Sequence, residues 1–128
     1  MRLLLDTHIW LWSAGNPGKL SRAARKAIED PSNERWISPI SIWEVLLLVE
    51  KGRIKLDGSA EEWIAESRRE LGLLEAPLNS EVALATRTIR LAHRDPADMF
   101  LAATALVYEL TLVTGDRHLR QTRGISVL

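Results

Sequence analysis

The chain has no cysteine, which excludes disulfides and any thiolate metal centre. Ring side chains other than indole are scarce: one phenylalanine and one tyrosine stand beside five tryptophans. Neither sign of charge prevails, with 17 basic and 17 acidic residues. Bulk positive charge therefore does not attract a polyanion, although a local basic face remains open. The longest apolar run, VLLLV at 45–49, falls far short of the roughly 20 residues that cross a bilayer, and lipidation signals are missing. The N-terminus lacks the apolar stretch and cleavage site of a signal peptide. The expectation is a cytoplasmic protein with no membrane role.

Other absences narrow the chemistry. There is no repeat, low-complexity tract or Pro/Gly/Ser-rich linker. His8, His93 and His118 have no HExxH-type spacing, which argues against zinc. TGDRH at 114–118 is not a phosphate-binding loop, and no serine sits in a nucleophile-elbow pattern. What remains is one domain, residues 1–128, with 46% hydrophobic residues, enough for a core.

Short apolar runs alternate with helical patterns. Arg2–Leu5 reads as a buried strand, and Thr7–Ala14 as a helix carrying Trp10 and Trp12. A turn at Asn16-Pro17-Gly18 leads to a helix over Ser21–Glu29, stopped by Asp30-Pro31. Trp36 and Ile37 lie in a second strand. Ser38-Pro39 opens a longer helix that runs to Gly52. Ser59–Leu71 reads as a helix, Leu73–Ala76 as a strand and Ser80–Ala92 as a helix. Asp95-Pro96 starts another helix, Leu112-Val113 is a strand and Ile125–Leu128 an edge strand. Alternation of this kind implies parallel pairing: an α/β class, three-layer α/β/α sandwich with a mostly parallel central sheet. Ligands of such sheets sit outside the carboxyl ends of the strands.

Acidic residues recur at that edge. Asp6 follows LLL, Glu44 lies in the helix after the second strand, Asp98 in the first turn of the DPADMF helix, and Asp116 follows TLVTG. Each has a structural explanation. Asp6 and Asp116 can cap the helices they precede, Asp95 fits an N-cap with Asp98 three residues on, and Glu44 can be a solvated helix residue. Glu44, however, sits among Ile42, Trp43, Val45 and Leu46, where a carboxylate needs a partner. Should the acids converge, their repulsion calls for a hard divalent cation with oxygen ligands, which Mg²⁺ satisfies. Thr7 and Thr114, beside two of the acids, can hold a water or a phosphate oxygen, or serve ordinary turn hydrogen bonds.

These segments together, LLLDTH, SPISIWEVLLLVEKGRIKL, HRDPADMFLAATAL and TLVTGDRHL, resemble PIN-domain nucleases, and most of all the VapC-type toxins of prokaryotic toxin–antitoxin pairs. The resemblance covers essentially the whole chain. It implies a metal-dependent endoribonuclease whose Asp6, Glu44, Asp98 and Asp116 bind Mg²⁺ or Mn²⁺. Thr7 and Thr114 match hydroxyl residues beside the acids, and Asp95 is usual in this branch as a helix cap with an outer supporting role. RNA substrate, a cognate antitoxin and a homodimer follow from the same resemblance. One position departs: many relatives have arginine after the residue matching Asp98, and here it is Met99.

Hydrolysis by such a set should leave a 5′-phosphate and a 3′-hydroxyl. Arg94, Arg117, Arg120 and Arg123 flank the acids in sequence, and Arg22, Arg25 and Lys26 form a helical cluster; each is a candidate RNA contact or a solvated face. The alternative function is a catalytically weak binding module acting through protein partners. It draws on the tryptophans, since Trp10 and Trp12 diverge on a helix and an exposed indole suggests a partner groove. A metal-dependent phosphatase or receiver domain ranks behind, because DTH lacks a second aspartate two residues on and VTGDRH offers no lysine.

Overall fold

The computed structural model describes residues 1–91 and 95–128. Its centre is β1 (Arg2–Leu5), whose Leu3, Leu4 and Leu5 are fully buried. Burial of successive side chains means burial of both strand faces, as a central parallel strand requires. β1 lies between β2 (Glu34–Ile37) and β4 (Thr111–Val113), with β3 (Leu73–Glu75) and β5 (Ser126–Val127) outside them; the order is β3-β2-β1-β4-β5 and every pairing is parallel.

The two faces of β1 enter different core clusters. Leu3 and Leu5 pack with Ile9 and Trp10 of α1 (Thr7–Gly15), with Ala24, Ala27 and Ile28 of α2 (Arg22–Glu29), and with Val45 of α3 (Pro39–Glu50). Leu4 packs instead with Leu101 and Ala105 of α6 (Pro96–Tyr108) and Leu119 of α7 (Arg117–Arg120). Period-two alternation thus divides the helices into two layers around the sheet, which is the three-layer α/β/α arrangement expected.

The helix starts follow capping chemistry. Ser21, Ser38 and Ser59 accept backbone N–H groups at the starts of α2, α3 and α4 (Ala60–Leu71), and Pro39 and Pro96 occupy first-turn positions where no N–H is needed. α4 stops at Gly72, with φ +62°, a left-handed backbone that glycine adopts without cost. One helix is shorter than expected. α5 covers only Ser80–Ala85 and is followed by a 3₁₀ turn at Thr86–Thr88. The hydroxyls of Thr86 and Thr88 bond back to the Ala83 and Ala85 carbonyls at 2.6 and 2.9 Å, a local competitor of the helical ladder. The remainder of that expected helix reaches Ala92, outside the described residues.

Candidate active site

β1 has neighbours reached in opposite directions, β2 on one side and β4 on the other. The chain order reverses between β1 and β4, and a crevice opens at such a switch point beyond the carboxyl ends of the strands. Asp6 follows β1 directly; Thr114 and Asp116 follow β4. The Asp6 N–H continues the ladder to the Val113 carbonyl at 3.1 Å, so parallel register places residues 108 apart side by side.

Asp6 is buried, 7% exposed. One carboxylate oxygen accepts the Ile9 N–H at 2.8 Å as the cap of α1, and the other accepts the Thr114 hydroxyl in a short hydrogen bond. The cap is therefore real and does not compete with a place in the site. Burial pushes the Asp6 carboxyl above the ordinary carboxylate range, and the nearby Asp116 charge pushes the same way; the Thr114 and Ile9 hydrogen bonds and His8 oppose it. Glu44 projects from the middle of α3 and is half-buried. Its Oε1 accepts the Thr7 hydroxyl at 2.5 Å. Burial also raises the Glu44 carboxyl, with Asp95 and Asp6 adding repulsion, while Thr7 and His8 lower it. Glu44 is thus not a solvated helix residue.

Asp95 caps α6 by accepting the Asp98 N–H at 3.2 Å. Asp98 follows in the first turn, where the helix dipole favours negative charge. Asp116 caps α7 by accepting the His118 and Leu119 N–H groups at 2.8 and 3.0 Å, and its own N–H donates to the Thr114 hydroxyl at 3.0 Å. Thr114 therefore links Asp6 to the Asp116 loop.

All of these acids line one cavity of about 170 Å³, together with Thr7, His8 and Leu101. The sequence-nominated Asp6, Glu44, Asp98 and Asp116 are brought together, and so are Thr7 and Asp95. Thr114 stands behind Asp6. Among the described residues no lysine or arginine lines this cavity, so its lining is predominantly acidic. Among those residues, no three acidic or imidazole groups converge as a ready-made metal cage. Asp6, Glu44, Asp95 and Asp116 direct oxygens at hydroxyl or amide donors instead.

Two side chains at this edge have roles that spacing did not disclose. His8, weighed in the sequence only against a zinc set, lines the cavity wall while remaining exposed. Arg120, a candidate RNA contact, donates to the Thr114 carbonyl at 3.2 Å and braces the loop. The adjacency of Asp116 to a one-turn helix ending in Arg120 is the signal that points to it. Arg117 and Arg123 are exposed, and Arg94 lies outside the described residues. On α2, Arg22, Arg25 and Lys26 form an exposed face, with Arg25 paired to Glu29 at 2.9 Å. Met99 packs toward the Val82, Ile89, Ala102 and Ala103 cluster and lines a separate apolar depression with Thr86, Pro96 and Phe100. Met99 is not among the residues that line the acidic cavity.

Comparison with known proteins agrees with this geometry. The PIN domain family model matches residues 3–125. The ribonuclease VapC22 of Mycobacterium tuberculosis is 36% identical over 124 residues, covering 94% of this chain and 92% of that protein. Among solved structures, VapBC2 from Rickettsia felis, bound to a DNA fragment from its promoter, superposes with a TM-score of 0.70 at 15% identity, over 100% of this chain and 98% of the other. DNA-bound VapBC from Salmonella typhimurium gives 0.67 at 19% identity, over 100% and 97%. At those identities the superpositions establish a common fold. With the match to the family model spanning nearly every residue, and with the acids of four separate segments meeting at the β1–β4 edge, the chain belongs to the PIN-domain family, in its VapC-type branch.

Proposed function

We propose that this protein is a metal-dependent endoribonuclease and the toxin of a type II toxin–antitoxin pair. The observation that carries the reading is the anionic cavity at the switch point, in which buried Asp6 and half-buried Glu44 face Asp98 and Asp116. Burial first, and the neighbouring carboxylates after it, push Asp6 and Glu44 upward, and a hard dication offsets both costs. The donor set, all oxygen, suits Mg²⁺, with Mn²⁺ as a substitute. Asp6, Glu44, Asp98 and Asp116 would hold the ion.

Bound there, a divalent cation supplies a more acidic water and neutralises charge on a phosphodiester. The chain itself supplies orientation. Thr114 fixes one oxygen of Asp6, Thr7 fixes Glu44, and Asp95 fixes the turn that carries Asp98. The capping amides of α7 hold Asp116 at the rim. In-line attack of a water on the phosphodiester, with the 3′-oxygen leaving, would give a 5′-phosphate and a 3′-hydroxyl, whereas attack by the ribose 2′-hydroxyl would give a cyclic phosphate; the reading is the first. The relative named as a ribonuclease supports RNA as substrate.

The structural neighbours named VapBC support a protein partner, the cognate antitoxin. Exposed Trp43 and Leu46, three residues apart on α3, offer it apolar surface. A homodimer belongs to the same proposal, with exposed Leu84 on α5 as one apolar contact available to a second copy. The reading as a catalytically weak binding module rests on the same exposed side chains and predicts no metal-dependent cleavage, whether or not the ion binds.

A thermal melt with and without Mg²⁺ tests whether the cavity takes the ion. Ion binding to the folded state alone adds about 2.7 kcal/mol at a hundred times the dissociation constant. The effect should depend on pH. Because the folded-state values of Asp6 and Glu44 are raised, the metal-free fold holds protons that the unfolded chain releases. This contribution to stability is present below about pH 4 and is lost as pH rises through the raised values. Mg²⁺ requires the ionised forms, so its stabilisation grows over the same window. A Mg²⁺ shift that is zero, or independent of pH from acid to neutral, would contradict the assignment.

A further inference from the structure

Five carboxylates line the acidic cavity together with Thr7, His8 and Leu101. With the acids ionised, two of these side chains can donate a hydrogen bond, the Thr7 hydroxyl and the His8 ring. The Thr7 hydroxyl is already engaged by Glu44. Among the described residues no hydrogen bond engages a ring nitrogen of His8. An imidazole carries at least one N–H in either charge state. His8 therefore brings a side-chain donor to a wall that otherwise presents acceptors.

The helix fixes where that donor stands. α1 is anchored by Trp10, which is fully buried in the core. His8 and Trp12, four residues apart, share a face of the helix. Their rings lie with centroids 5.9 Å apart and planes tilted by 52°. Trp12 is half-buried, and a Cβ on Gly115 would meet its ring at 3.9 Å. The indole thus abuts both the imidazole and the loop that carries Asp116. His8 itself is exposed while lining the cavity, which places its ring at the mouth, backed by Trp12. A polar group held this way, on a rigid element with its own packing support, suits a reacting ligand better than a loop side chain does.

A phosphodiester that enters a cavity of carboxylates is repelled until a cation offsets their charge. As water attacks phosphorus, negative charge grows on the non-bridging oxygens, and a donor already in place there stabilises the transition state more than the ground state. We propose that His8 is a catalytic residue, whose ring N–H donates a hydrogen bond to a non-bridging oxygen of the scissile phosphate, with Trp12 holding the ring at the mouth of the cavity. No proton leaves the imidazole in this role. The assignment rests on the ribonuclease reading and adds to it a substrate contact made by a residue outside the metal-holding acids.

The test uses a short oligoribonucleotide built around one site at which the wild type cuts total RNA in Mg²⁺. His8→Phe keeps a ring for Trp12 and removes the N–H. His8→Asn gives up the ring and restores an N–H. His8→Phe should lower kcat by about tenfold to a hundredfold with KM changed by less than about twofold; the loss is milder than in a closed site because water reaches this ring. His8→Asn should recover part of the rate. Sulfur in place of one non-bridging oxygen accepts hydrogen bonds poorly. Measured in Mn²⁺, which tolerates a sulfur ligand, one diastereomer should slow the wild type and slow His8→Phe much less. The melting temperature of His8→Phe and its shift in Mg²⁺ should match the wild type. An unchanged kcat in His8→Phe overturns the proposal, whatever happens to KM. So does a lost rate accompanied by a lost Mg²⁺ shift, which would assign His8 to the ion or the fold. No cleavage by the wild type defeats the ribonuclease reading and the contact with it; cleavage by the wild type and His8→Phe alike defeats the contact alone.

Discussion

Asp6→Asn is expected to lower RNA cleavage by about a thousandfold or more, equivalent to about 4 kcal/mol of transition-state stabilisation, while making the metal-free protein harder to unfold at neutral pH. The two effects have one cause. Asp6 is buried and shares its cavity with other carboxylates, so its ionised form is costly in the fold and useful only when a cation is present. Asparagine has the same shape. Its carbonyl still accepts the Ile9 N–H, and the Thr114 hydroxyl, which now donates to Asp6, can turn to accept from the amide. The charge disappears and the cap survives. Single-turnover cleavage and a melt in EDTA measure the two halves. Cleavage at the wild-type rate, or a variant that melts well below the wild type, would contradict this description of the site.

Trp10→Ala is expected to act on the fold, with a loss of about 3–5 kcal/mol. Trp10 is fully buried at the heart of the cluster formed by Leu3, Leu5, Ile28 and Val45. Its indole N–H donates to the Ser67 hydroxyl at 3.1 Å, and its ring stacks at a tilt on Trp63. Alanine leaves a large cavity between α1 and α4 and strips Ser67 of its donor. A domain of this size has roughly 5–15 kcal/mol in total, so the variant should melt about 10–20 °C lower and sit near the threshold of folding at 37 °C. Trp12, two residues on and half-buried, has no comparable role in the core. A denaturation midpoint shifted by less than the equivalent of about 1 kcal/mol would contradict the packing.

The contrast between these tryptophans shows where sequence reasoning stops. A spacing of two on a helix separates them onto different faces, but nothing local says which face is the core. Sheet order decides it, because α1 packs on the side of β1 that carries Leu3 and Leu5. Elements marked by local chemistry were legible: the LLL run ending at Asp6, the serine caps of α2, α3 and α4, and Asp95-Pro96 opening α6. The end of α5 was not, because the threonine hydroxyls that divert the backbone compete with the helix by a small margin.

Asp6 and Asp116 were legible by their position after strands, Glu44 by its apolar helical neighbours and Asp98 by its place in a first helical turn. Their pairing with hydroxyls was not. Thr114 reaches Asp6 across 108 residues, and Thr7 reaches Glu44 across 37, through strand order and helix packing that no local pattern encodes. His8 escaped notice as a cavity residue for the same reason. The acids it stands among come from separate parts of the chain.

The most direct test of the central claim is incubation of purified protein with total RNA in Mg²⁺ and in EDTA, with the product ends identified. Discrete fragments that appear only with Mg²⁺ and carry 5′-phosphates are the predicted result. The same fragments in EDTA, or products ending in cyclic phosphate, would contradict hydrolysis by a cation held at Asp6, Glu44, Asp98 and Asp116.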